Sequence, residues 1–101
     1  MKMYILILDD VPVGHALNSA AHAALACYLT YGHRAAMKEW VNSSFKKVTC
    51  KVTREQLAQA QKLEKDFITI KESKLHNRIM GSAFMPRETW NPFFKTLNLW
   101  T

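Results

Sequence analysis

His15, Asn18 and His22 recur at spacings of three, four and seven residues, so an α-helix carries all three on one face. They sit in the stretch Val13-Gly14-His15-Ala16-Leu17-Asn18-Ser19-Ala20-Ala21-His22-Ala23-Ala24, which follows an apolar run, Met3 to Leu8, closed by Asp9-Asp10. A buried strand that turns at Pro12 and Gly14 into such a segment exposes a helix start with unpaired N–H groups and partial positive charge, a ready place for an anion. Alanines along the helix let it lie close to a sheet. Two imidazoles beside an anion-ready helix start are where any chemistry of this chain is expected to begin.

The elements that must hold those residues alternate along the chain. Strand one spans Lys2 to Leu8, and helix one runs from about Gly14 to Tyr31, with Gly32 expected as its stop. A shorter helix from about Arg34 to Val41 fits the spacing of Ala36, Met37, Trp40 and Val41, and Asn42-Ser43-Ser44 reads as a turn. Phe45 to Val52 comes near enough to alternation for a strand that points Phe45, Val48, Cys50 and Val52 inward. Thr53-Arg54-Glu55-Gln56 is a capping box opening a third helix to about Lys65. Phe67 to Ile70 is strand three, Glu72 to Arg78 a polar loop, and Ile79 to Met85 a strand stopped by Pro86. Leu97 to Trp100 alternates like a short edge strand. This order predicts a single domain over 1–101 of the α/β class, three-layer α/β/α with a small mixed β-sheet.

Composition narrows the function classes. The 101 residues are 49% hydrophobic and 22% charged, which suits a globular core rather than a disordered chain. The longest apolar run is too short to cross a bilayer and no leader is evident, so a cytoplasmic protein without membrane association is expected. Cys27 and Cys50 are too few and too far apart for a metal site or a disulfide framework and read as buried thiols; no cofactor is expected. The formal charge of +6, from 14 Lys plus Arg against 8 Asp plus Glu, suits a polyanion partner. It suits a solvated basic face equally well. Lys46, Lys47, Lys51 and Arg54 form one cluster, and Lys71, Lys74, Arg78 and Arg87 fall in the last third.

The Gly14 to Ala23 segment and the order of elements resemble peptidyl-tRNA hydrolase II of archaea and eukaryotes. That family carries Gly-Lys-Ile-Ala-Ala-Gln-x-x-His-Ala after strand one, and Gly14, His22 and Ala23 fall on its glycine, histidine and alanine. Met80 to Pro86 is similar to its last long strand, and Lys95 to Trp100 resembles its closing Thr-Gly-x-Leu-Lys-Leu. Gly14-His15-Ala16-Leu17-Asn18-Ser19-Ala20-Ala21 is closer still to bacterial domains of that fold whose first helix opens Gly-x-Ala-x-Asn-x-Ala-Ala. The family's lysine falls on His15 and its glutamine on Ser19. Its Asp-Ala-Gly-x-Thr-Gln segment falls near Lys71 to Leu75, where Glu72 alone offers a carboxylate.

The resemblance implies hydrolysis of peptidyl-tRNA or a related ester or amide. His15 would be the base, Glu72 the group orienting it, and His22 a third catalytic residue. Gly14, Asn18 and Ser19 are then candidate binding residues, and Lys71, Lys74 and Arg78 a basic rim for tRNA or another anionic ligand. Simpler roles stand beside these. His22 suits a packed histidine, Asn18 a bridge to the strand-one connection, Asp9 and Asp10 an electrostatic cap, and the lysines solvated positions. A catalytically silent RNA- or anion-binding relative and a homodimeric interaction module are the alternative functions. In the latter the aromatic tail of Trp90, Phe93, Phe94 and Trp100 is either core or dimer surface.

Overall fold

Met3 to Leu8 are buried on both faces of their strand, as an unbroken apolar run requires of a central parallel strand. The structure, a computed structural model, describes residues 1–101. Strand β1 (Lys2–Leu8) lies in the middle of a five-stranded sheet with β2 (Lys46–Val52), β3 (Phe67–Glu72), β4 (Arg78–Arg87) and β5 (Asn98–Leu99), ordered β3-β4-β1-β2-β5. β1 runs parallel to β2, while β4 runs antiparallel to both β1 and β3. β1, β2 and β3 therefore point the same way, and their carboxyl ends share one edge of the sheet.

Helices α1 (Val13–Tyr31) and α2 (Ala35–Asn42) cover one face of this sheet; α3 (Arg54–Leu63) and a 3-10 turn, Pro92–Thr96, cover the other. Ile7 and Thr49 meet Ala16 and Ala20 of α1 on the first face, whereas Leu8 meets Leu57 of α3 on the second. The three-layer mixed-sheet architecture is the one expected from the order of elements. Ala16, Ser19, Ala23 and Cys27 form the buried stripe of α1, and their small side chains keep its axis near the strands. The Thr53 capping box forms with both bonds, Gln56 N–H to Thr53 Oγ1 at 3.1 Å and Thr53 N–H to Gln56 Oε1 at 2.9 Å.

Several local expectations change. Gly32 ends α1 in right-handed geometry, with φ −58°, so it supplies no left-handed cap. Phe45 takes φ 51° and is exposed, so β2 begins one residue later and Phe45 leaves its inward face. α3 ends at Leu63, with Glu64 as its cap. The polar loop narrows to 73–77, because β3 continues through Glu72 and β4 begins at Arg78. Pro86 does not stop β4. The pairing Tyr4↔Phe84 shifts to Lys2↔Arg87, one extra residue on β4, and that bulge takes the proline out of the ladder.

The aromatic tail resolves toward core. Trp90 and Phe94 are buried, and the Tyr4 ring lies 4.8 Å from Trp90 and 5.1 Å from Phe94, within the range of favourable aromatic pairs. No helix is long and apolar enough to cross a membrane. Cys27 and Cys50 are free and buried; burial pushes their thiols up to about 12 and about 11. Both are expected to resist a thiol reagent at mildly alkaline pH in the native protein and to react promptly in denaturant, measured by thiol titration.

Candidate functional site

The carboxyl edge of β1, β2 and β3 gathers the polar chemistry, as the general rule for α/β sheets expects. Past Leu8 the chain turns through Asp9 to Pro12 into α1, whose start has no side-chain cap and no acidic residue in its first turn. Its first N–H groups therefore keep the anion-ready character read from the sequence. Gly14 is exposed there, and a Cβ on it would meet nothing within 4 Å.

Asp9 and Asp10 do not hydrogen-bond that helix start. Asp10 instead holds two arginines: Arg78 Nη2 lies 2.6 Å from its Oδ1 and Arg54 Nη2 3.4 Å from its Oδ2. Arg78 Nη2 also donates to the Asp10 carbonyl at 3.2 Å. Arg78 thus ties the β1–α1 connection to the start of β4, and its charge is matched rather than offered to a ligand. Desolvation raises the exposed Asp10 carboxyl, but Arg78 and Arg54 outweigh it and hold the group below its ordinary value. A carboxyl that binds its proton less tightly folded than unfolded adds stability above its unfolded value of about 4. That contribution disappears as pH falls through the folded value. Asp10→Asn is expected to flatten the acid limb of stability below about pH 4, measured as urea midpoint against pH.

Between α1 and the end of β3 lies an open cleft of about 460 Å³. His22, Leu25 and Leu29 form its helix wall, and Ile70, Glu72, Ser73 and Asn77 its strand-and-turn wall. Glu72 is fixed by its own turn: its Oε1 accepts the Lys74 N–H at 3.2 Å and caps the 3-10 turn Ser73–Leu75. His76 and Asn77 then take φ 57° and 58°, a left-handed pair that reverses the chain into β4 and that asparagine tolerates better than most side chains.

Of the residues singled out from sequence, His22, Lys71 and Glu72 share this cleft. α1 is continuous from Val13 to Tyr31, so His15 and Asn18 prolong the flank that carries His22 toward the helix start. His15 is half-buried, two turns or about 10 Å from His22, and lines no cavity; no hydrogen bond or ion pair joins it to Glu72. Asn18 is exposed, and Ser19 is turned onto the sheet at 2% exposure. Lys71, in the cleft wall, and Lys74, beside it, are exposed and unpaired. Sequence reasoning missed Ser73 and Asn77; the one signal was the His76-Asn77 pair ahead of a strand. No group of His, Cys, Asp and Glu is arranged to hold a metal ion.

The family model described as peptidyl-tRNA hydrolase PTH2 matches residues 1–79. The match takes in β1 through the first residues of β4, with every side chain of the cleft, and leaves out the aromatic tail. No curated protein matches the chain.

Proposed function

The chain belongs to the peptidyl-tRNA hydrolase PTH2 family, and from that premise we propose that it hydrolyses the ester between peptide and tRNA, or a related ester or amide, in the cleft between α1 and β3. The observation that carries this reading is that His22 and Glu72 line one cleft.

The chemistry needs a water deprotonated as it attacks, and a donor for the oxyanion that follows. His22 takes the water's proton as the new carbon–oxygen bond forms. The tetrahedral intermediate then collapses, and the imidazolium returns the proton to the departing 3′ oxygen of the tRNA. Glu72 Oε2, which has no protein partner, faces the imidazolium or the water, and the Asn77 amide, in the same wall, serves the oxyanion. Lys71 and Lys74 stand where phosphates of the tRNA end would pass.

One ester carbonyl cannot be served by two imidazoles held about 10 Å apart along a helix. His15, with Gly14 and Asn18, is therefore assigned to the substrate beyond the scissile bond. A second reading keeps His15 as base, because it stands where the family's lysine does. Peptidyl-tRNA is a cytoplasmic substrate, so the proposal includes that setting.

The test is multiple turnover of an N-acetyl-aminoacyl-tRNA by the pure protein, followed as release of free tRNA. Turnover supports hydrolysis. Salt-sensitive tRNA binding without turnover would instead make the chain a silent relative, and neither outcome would leave it an interaction module.

A further inference from the structure

β3 ends the sheet: the order β3-β4-β1-β2-β5 leaves it a single neighbour, β4. Which backbone groups that neighbour uses follows from the alternation of an antiparallel pair. The Met85 N–H donates to the Asp66 carbonyl at 2.9 Å, one step before the pairing Phe67↔Phe84, so Ile68↔Ala83 and Ile70↔Gly81 are the pairs that exchange hydrogen bonds. Phe67, Thr69 and Lys71 then turn their N–H and C=O groups away from β4. The Tyr31 hydroxyl marks the same direction, since it reaches from α1 to donate to the Phe67 carbonyl at 3.1 Å. Thr69 and Lys71 are exposed, and no loop or side chain takes their outward groups. The register shift beside Lys71 puts its extra residue, Met80, on β4 and leaves β3 without one. β3 also carries no proline, so this edge is an open template for another strand.

We propose that the outer edge of β3 seats the peptide part of the substrate as an added strand, parallel to β3. The inference rests on the hydrolytic reading of the cleft, which sets both the occupant and its direction. The scissile carbonyl is the carboxyl end of the peptide, and the cleft with His22 and Glu72 lies at the carboxyl end of β3. A peptide whose last residue sits there runs back along β3 in the same sense.

Parallel pairing then names each bond. The esterified residue donates its N–H to the Lys71 carbonyl. The residue two before it accepts from the Lys71 N–H and donates to the Thr69 carbonyl. The residue four before it accepts from the Thr69 N–H. Beyond that point Tyr31 already occupies the Phe67 carbonyl, and the edge closes. All four bonds go to backbone, so the edge takes peptides of any sequence, and the intervening residues turn their N–H groups to solvent.

The test is kcat/KM on N-acetylated peptidyl-tRNAs of one, three, five and seven residues, which can make one, three, four and four of these bonds. A rise of about tenfold from one residue to three, a smaller one to five and none beyond is expected. In the three-residue substrate, N-methylation two residues before the ester is expected to erase most of the gain. N-methylation one residue before it is expected to change the rate less than about twofold. Thr69→Pro sets a ring on the edge without touching the ladder to β4, and is expected to flatten the length series with unchanged circular dichroism. Failure to turn over any substrate would end the hydrolytic reading alone. The edge is then read by calorimetry with the same peptides joined as amides to 3′-amino-3′-deoxyadenosine, where the same step from one residue to three is expected in affinity. Rates or affinities indifferent to length, or equally sensitive to methylation at either nitrogen, would overturn the proposal while leaving hydrolysis in place. A dimer that Thr69→Pro converts to monomer would also overturn it, by giving the edge to a second copy.

Discussion

Gly81→Ala is expected to cost about 3 kcal/mol or more, a fall in Tm of roughly 12–24 °C for a domain of this size. A Cβ at Gly81 would stand 2.1 Å from the Leu6 carbonyl oxygen and 3.0 Å from the Ile7 Cα. Both neighbours are backbone of the buried central strand, so the added carbon cannot be relieved by rotating a side chain. β4 would have to move off β1 along the pairing Leu6↔Ser82 and Ile7↔Gly81. Three residues earlier β4 begins at Arg78, which ties it to Asp10, so the cleft wall would loosen together with the sheet. Gly14→Ala is the matched control. Its Cβ meets nothing and its backbone is already helical, so the melting temperature is expected to hold or rise slightly. Thermal melts of the two variants check the pair: a Gly81→Ala protein melting like wild type would mean that β1 and β4 are not held at this spacing.

Those two glycines also show what was legible in the sequence. The apolar run of β1, the 3.6-residue stripe of α1 and the Thr53–Gln56 box are local patterns, and each formed where its residues required it. Pro86 and Phe45 were misread for the converse reason. A proline inside a strand depends on a bulge set by the partner strand, and the left-handed Phe45 is settled by the chain reversal between α2 and β2. The site was legible on its helix side, since His15, Asn18 and His22 share a flank by spacing alone. Its other wall was not. The tying of Arg78 to Asp10 comes from the pairing of β4 with β1, and the shared cleft of His22 and Glu72 from the packing of α1 against β3, long-range contacts no local spacing encodes.

His22→Ala is expected to lower kcat/KM on peptidyl-tRNA by about 10²–10⁴, the ordinary range for losing a positioned general base. The loss is expected in kcat, because proton transfer belongs to the transition state. Glu72→Gln keeps the size of the side chain and its contact with the Lys74 N–H while removing the charge opposite His22, so a smaller loss is expected, about tenfold to a hundredfold. His22 is exposed on α1, so truncating it takes nothing from the core, and circular dichroism of both variants is expected to match wild type.

The most direct measurement is kcat/KM on the same peptidyl-tRNA for wild type, His22→Ala and His15→Ala side by side. Loss of about 10² or more in His22→Ala, with His15→Ala within about tenfold of wild type and changed mainly in KM, is the predicted result. A His22→Ala protein as fast as wild type, with the large loss falling on His15→Ala instead, would contradict it.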